Sequence, residues 1–296
     1  MKVFFHLGMH KTGSSLLQQR IFPKMKEVYY VPRNDSSELK KYIQYTDDFE
    51  FDPEEGKEIF KKIKNIENSD KVLISDEEFY GNPYWSNMDR KRNIDRIVAI
   101  FGKEVSFLLF IRNQFSLINS LYNQYVKTGG TANFESFLNY RKFPLYVNVG
   151  YFCYDKYITY IQTITGSENL KVILFEDFIK NLETRTNDIL TFVGNKELVF
   201  NEKDFEITNP SLKNKYIPLL RFINKFTCSP KHPFLLMHKY FHIGFRKLFL
   251  KLDYIPLRNK KFCFTDIEMI TKIKESNQQL EINLQLNLEI YKYPLK

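Results

Sequence analysis

The chain has 296 residues, 43% of them hydrophobic, and a formal net charge of +9, which is the composition of an ordinary globular protein long enough to bury an extended core. Its three cysteines, Cys153, Cys228 and Cys263, are scattered and form no CxxC pair, which excludes a disulfide framework and a cysteine-based zinc site. The opening MKVFFHLGMHKTG interrupts its apolar run at His6, Gly8 and His10, too early for a signal peptide or a membrane span, so a cytoplasmic protein is expected.

The first predicted strand is Lys2–Leu7, followed by a glycine-containing loop and a helix over Ser14–Phe22, where Leu16, Leu17 and Ile21 have helical spacing. KVLIS (Lys71–Ser75) reads as a second buried strand. Asn87–Phe101 places Ile94, Ile97, Val98 and Phe101 on one helical face and stops at Gly102. VSFLLFI (Val105–Ile111) is the strongest strand, a continuous apolar run of the kind found where a parallel sheet is covered on both faces. A helix over Gln114–Val126 follows it, then a helix over Tyr151–Thr165, a strand LKVIL (Leu170–Leu174) and a helix over Glu176–Val193. Thr265-Asp-Ile-Glu268 has the form of a capping box and opens a closing helix over about 265–291. Strands alternating with helices predict a three-layer α/β/α fold with a mainly parallel central sheet. No linker or repeat divides the chain, so residues 1–296 are read as one domain. Ligands of such sheets bind beyond the carboxyl ends of the strands.

Two segments at predicted strand ends carry anion-binding chemistry. The loop Gly8-Met-His-Lys11-Thr12-Gly13-Ser14-Ser15 joins a strand to a helix, where free backbone N–H groups and the helix dipole attract a phosphate. Its G-x-x-x-x-G spacing fits the start of a Walker A loop, but Ser14 and Ser15 follow where that motif requires Lys and then Ser or Thr, and the lysine sits inside the loop at Lys11. The second segment ends the strongest strand: Arg112 offers a rigid fork of donors, and Ser120 lies eight residues on, about two helical turns along the next helix. Taken singly, the loop is equally readable as an ordinary strand-to-helix turn, and the second segment reads better as a solvated arginine and a helix-surface serine.

Together the two segments resemble the 5′-phosphosulfate loop and the 3′-phosphate motif of sulfotransferases that use 3′-phosphoadenosine 5′-phosphosulfate (PAPS), in particular bacterial members related to carbohydrate sulfotransferases. The family's loop H-x-G-x-x-K-[ST]-G-[ST]-[ST] is matched by His6, Gly8, Lys11, Thr12, Gly13, Ser14 and Ser15. Its R-x(7)-S motif is matched by Arg112 and Ser120, with Tyr122 in an S-x-Y continuation. The likeness extends less specifically through Asn209-Pro-Ser211 and the closing SNQQL…IYKY segment. The resemblance implies a P-loop-like fold and sulfonyl transfer from PAPS to an acceptor hydroxyl, a glycan hydroxyl being the leading expectation, without a metal. It implies that Lys11 stabilises the leaving phosphate and that the backbone of Thr12, Gly13, Ser14, Ser15 and Leu16 surrounds the 5′-phosphate. Arg112 and Ser120 would then hold the 3′-phosphate.

Sulfonyl transfer also needs a base for the attacking hydroxyl. Asp76, Glu77 and Glu78 follow the strand KVLIS and are equally readable as a solvated acidic turn or a helix cap; the family's S-x-E pattern selects Glu77, with Lys11 expected beside it. His6 is expected to support the loop, His10 to line the site, and Trp85 either to shape the acceptor pocket or to pack in a loop. His232, His238 and His242 have no carboxylate nearby and are not read as a metal site. Between Ser211 and Phe262 there are twelve Lys and Arg residues against Asp253 alone, so the rest of the chain sums to −2 and the basic character belongs to this segment. It points to an anionic partner such as a donor phosphate, an acidic glycan or a lipid surface. Nucleic acid is not expected as a partner. Two rival readings share some of these features. One is a P-loop-type small-molecule kinase, which needs a Walker lysine and magnesium ligands. The other is a non-catalytic protein that docks on an anionic membrane through 211–262.

Overall fold

The computed structural model describes residues 1–9, 11–81, 89–138, 147, 149–196, 198–205, 216–226 and 262–295. The four predicted apolar runs pair side by side. They form β1 (Lys2–Gly8), β3 (Lys71–Ser75), β4 (Ser106–Ile111) and β5 (Leu170–Leu174), joined at one edge by a short unpredicted strand, β2 (Tyr29–Val31). All neighbours are parallel, in the order β2-β3-β1-β4-β5. Strand β4 shows why its run is unbroken. Phe107, Leu109 and Ile111 join a core on one face of the sheet, and Leu108 and Phe110 join a second core on the other. The expected three-layer α/β fold is thus present.

The first face is covered by α2 (Ser37–Tyr45), α3 (Pro53–Lys61), α4 (Asp89–Phe101), α5 (Gln114–Lys127) and α6 (Phe134–Leu138), and by α7 (Tyr154–Thr165). The second is covered by the helical stretch after β1 and by α8 (Phe175–Lys180) and α9 (Leu182–Val193). Helix α10 (Ile217–Asn224) packs on α5, and α11 (Ile267–Leu284) packs on α7.

Several boundaries differ from the expectations. The helix after β1 is α1 (Ser14–Leu16), continued by a widened π turn at Leu17–Ile21 and a tight turn at Phe22–Lys24 where Pro23 intervenes. The helix predicted over Glu176–Val193 breaks at Asn181 into α8 and α9. The closing helix ends at Leu284, where Gln285 turns left-handed, and its cap is Asp266, which accepts from Met269 N–H at 3.0 Å, in place of the capping box at Thr265. Among the described residues no helix is long and apolar enough to cross a membrane.

The chain's last described stretch returns to the end of β4. Gln114 and Asn277, both fully buried, exchange amide hydrogen bonds of 2.6 and 3.2 Å, and Asn277 also donates to Pro294 O at 2.8 Å. Asn113 Nδ2 donates to Lys292 O at 2.5 Å. Replacing Asn277 with Ala would take the Asn277 donor from the buried Gln114 Oε1 and leave Nε2 only its 3.3 Å bond to Phe152 O, and should cost about 2–3 kcal/mol of stability in urea unfolding at neutral pH. A cost below about 0.5 kcal/mol would mean that apolar packing alone holds this corner.

Candidate functional site

Because every strand runs the same way, the residues that follow β1, β2, β3, β4 and β5 emerge along one edge. The strand order reverses at β1, since the chain leaves it toward β2 and β3 and later returns on its other side as β4. Register sets the neighbours: His6 is level with Ser75 and with Leu108, and Gly8 is level with Phe110.

The loop after β1 folds tightly. A Cβ on Gly8 would lie 2.4 Å from Ser14 Oγ and 3.1 Å from the His6 ring, so only glycine fits there. Lys11 and Gly13 take left-handed conformations, at φ 69° and 82°. Thr12 Oγ1 ties the loop down by donating to Met9 O at 2.6 Å. Gly13 stands at the N-cap of α1 and supplies no side-chain cap, while Ser14 Oγ is buried without a hydrogen-bond partner. An uncapped helix start with an orphaned hydroxyl beside it is a chemical fit to a phosphate-sized anion, which would accept both kinds of donor. Ser15 and Leu16 continue this first turn and are partly exposed.

Arg112, just past β4, joins this loop directly. Its Nη1 donates to Lys11 O at 2.6 Å, its Nε and Nη2 donate to Ser116 Oγ at 3.0 and 2.7 Å, and its guanidinium carbon stands 4.7 Å above the Phe175 ring. Burial pulls its pKa below the ordinary arginine value, but a guanidinium stays protonated in proteins. Thus the two predicted anion-binding segments meet at adjacent strand ends. The serine that Arg112 touches is Ser116, one turn into α5, which sequence spacing did not single out. Ser120 lies a further helical turn along the same face and is partly exposed. Tyr122 is buried and donates to Ala132 O at 3.1 Å. The exposed Lys11 side chain reaches α5, where Nζ donates to Gln124 Oε1 at 2.9 Å.

The acidic run after β3 is ion-paired and is not a solvated turn. Arg33, two residues beyond β2, donates Nε to Asp76 Oδ2, Nη1 to Glu77 Oε1 and Nη2 to Glu78 Oε1, at 3.0, 3.0 and 3.1 Å. Lys40 on α2 adds contacts of 3.0 Å to Asp76 and 2.8 Å to Glu78. Asp76 is fully buried and caps the following turn by accepting from Glu78 N–H at 3.0 Å, which assigns it a structural role. Arg33 thus meets the Glu77 carboxylate, while the Lys11 ammonium, from a left-handed residue, also contacts α5. Neither Arg33 nor Lys40 was visible in the sequence, because β2 is three residues long and too short to show a period.

His6 supports this edge from below. Its Nδ1 lies 2.7 Å from Ser75 Oγ, to which Gln18 Nε2 also donates at 3.0 Å, and its Nε2 is buried without a hydrogen-bond partner. Burial pushes its pKa down to about 4, and the Glu77 carboxylate opposes that shift only in part. His10, Trp85, Asn209, Ser211, His232, His238 and His242 lie outside the described residues. Lowering the pH from 7 to 4.5 protonates the unfolded histidine near its ordinary 6.5 while the folded one resists. Stability is therefore complete above about 6.5 and is lost toward 4. Wild type should lose about 2–3 kcal/mol more than His6→Asn over that range in urea titrations. Parallel pH curves for the two proteins would contradict a neutral buried His6.

No family model matches the chain, and no curated protein matches it. Among solved structures, a sulfotransferase from Alicyclobacillus acidocaldarius aligns with a TM-score of 0.51 at 16% identity, over 76% of this chain and 93% of that one. Mouse sulfotransferase SULT7A1 complexed with PAP aligns with a TM-score of 0.44 at 14% identity, over 96% of this chain and 89% of that one. The sulfotransferase domain from the curacin biosynthetic pathway gives 0.43 at 13% identity, over 95% and 97%. The five-stranded parallel sheet with helices on both faces is thus the fold of the Alicyclobacillus sulfotransferase.

Proposed function

We propose that this chain is a sulfotransferase that moves the sulfonate of PAPS to an acceptor hydroxyl by in-line displacement. The observation that carries the reading is the Arg112 to Lys11 contact, which makes one site of two anion-binding segments lying 101 residues apart. PAPS, when bound, supplies an activated sulfonate on a phosphate leaving group. The loop residues 12 to 16 would receive its 5′-phosphate at the uncapped start of α1, and Arg112 with Ser116 and Ser120 would receive the 3′-phosphate. Lys11 would neutralise charge developing on the leaving phosphate, which requires its ammonium to exchange Gln124 for the anion. Glu77, on the same edge, would take the proton of the attacking hydroxyl. Of the three adjacent acids it suits that role best, because Asp76 is fully buried and Glu78 is held by both Arg33 and Lys40. A glycan hydroxyl is the proposed acceptor, on the strength of the Ser75-Asp76-Glu77 likeness to carbohydrate sulfotransferases. A kinase reading is less well supported, since Ser14 and Ser15 stand where a Walker loop needs its Lys and hydroxyl residue.

Calorimetry with 3′-phosphoadenosine 5′-phosphate (PAP) tests the donor site. Arg112→Ala should weaken binding about 10–100-fold. Glu77→Gln should bind PAP within about twofold of wild type while lowering turnover of PAPS about 100-fold or more. No PAP binding by wild type, or a preference for ATP with magnesium, would reject the reading.

A second property of the same chain is favoured by α10. Leu219 and Phe222 on it, and Phe226 just beyond, are 41, 58 and 37% exposed in one stripe, next to the exposed Lys225. This short described part of the basic 211–262 segment has the form of a contact for an anionic membrane surface. Co-sedimentation with phosphatidylserine vesicles should be salt-sensitive and should fall several-fold in a Phe222→Ser/Phe226→Ser variant. Equal pelleting of variant and wild type would remove α10 from that role.

A further inference from the structure

Arg33 and Lys40 treat the three acids of the β3 edge unequally. Asp76 and Glu78 each meet both cations, and Asp76 fastens Glu78 a second time through its backbone N–H. The Lys40 contacts go to Asp76 and Glu78, whereas the Arg33 fork reaches Glu77 as well, through Nη1 to Oε1. The guanidinium is planar and its donors point in fixed directions, so two of its arms being held by Asp76 and Glu78 determines where the third arm points. We propose that Arg33 is a positioning residue for Glu77: the Asp76, Glu78 and Lys40 cluster aligns the guanidinium, and the guanidinium fixes the orientation of the Glu77 carboxylate and holds a cation against it. This rests on the reading of Glu77 as the base.

The titratable groups facing Glu77 come from every strand end around it. His6 on β1 has a pKa of about 4, and the Tyr30 phenol on β2 is pushed up to about 12 by burial and by Asp76 and Glu77. Both are neutral from about pH 5 to 11. Across that range the ion pairs of this cluster are those of Arg33 and Lys40 with Asp76, Glu77 and Glu78. Removing Arg33 takes from three adjacent carboxylates a cation that all three share, and their mutual repulsion favours protonation. A base that must be ionised then loses activity at a higher pH.

The experiment compares wild type, Arg33→Met, Arg33→Lys, Lys40→Met and Glu77→Gln. PAP affinity is read by calorimetry, and the pH profile of PAPS conversion to PAP is read with added monosaccharides or water as acceptor. PAP affinity should stay within about twofold throughout, because Arg33 touches the base and not the donor loop. Arg33→Met should lower kcat about tenfold or more and move the acid limb up by about one pH unit, with KM little changed. Arg33→Lys should return the limb toward wild type while kcat stays low, since an ammonium restores the charge and not the fork. Lys40→Met should have the smaller effect. If Arg33→Met does not fold, Arg33→Lys carries the test through its reduced kcat at an unshifted limb. A Glu77-dependent wild-type turnover that Arg33→Met and Arg33→Lys leave unchanged overturns this inference alone. Wild type that binds no PAP, turns over no PAPS, or is unaffected by Glu77→Gln overturns the underlying reading with it.

Discussion

Parallel pairing is the constraint on which the rest of this structure depends. A strand inserted between two parallel neighbours has its carboxyl end level with theirs, and β1 sits between β3 and β4. The loop of Lys11, the carboxylates of Asp76 to Glu78 and the guanidinium of Arg112 are therefore delivered to one edge by backbone hydrogen bonding. None of these side chains has to attract another across the chain for the site to assemble. The local chemistry then refines the arrangement: a glycine at position 8 that leaves room for Ser14 Oγ and the His6 ring, and an arginine whose three donor directions are all engaged.

The edge also separates its charges. Cations face the helix-start loop at Arg112, and anions face Arg33 and Lys40 across the end of β3. His6 lies on β1 between these regions as a neutral, buried ring, touching Ser75 on one side and edging against Phe22 and Phe110. A charged residue at that position would bias both halves of the edge at once. Burial makes the histidine electrically silent while keeping its hydrogen-bonding shape.

Much of this was legible in the sequence, for physical reasons that differ by element. VSFLLFI announced β4 because a strand buried on both faces has no polar positions, and the glycine loop and Arg112 were legible as residues placed after such strands. The short β2 was not, since three residues carry no periodicity, and with it went Arg33 and the whole cationic side of the acidic cluster. The contact of Arg112 with Ser116 was not legible, because spacing identifies a helical face but not which turn of it meets a side chain from the preceding loop. The positive φ at Lys11 and its contact with Gln124 on α5 were not announced by residue type. The break at Asn181 between α8 and α9 was likewise hidden, because apolar residues continue at helical spacing on both sides of it.

The amide of Asn113 holds Lys292 O across 179 residues of sequence, and the Tyr293 hydroxyl reaches Glu176 from the same returning segment. A ribosome adding about 5–20 residues per second needs roughly 10–40 s to travel from one partner of the first contact to the other. During that interval β1, β3 and β4 can already be paired, with the Lys11 loop formed, while the corner beside Arg112 stands open. This edge of the molecule is thus finished in two instalments, its floor early in synthesis and its far wall late.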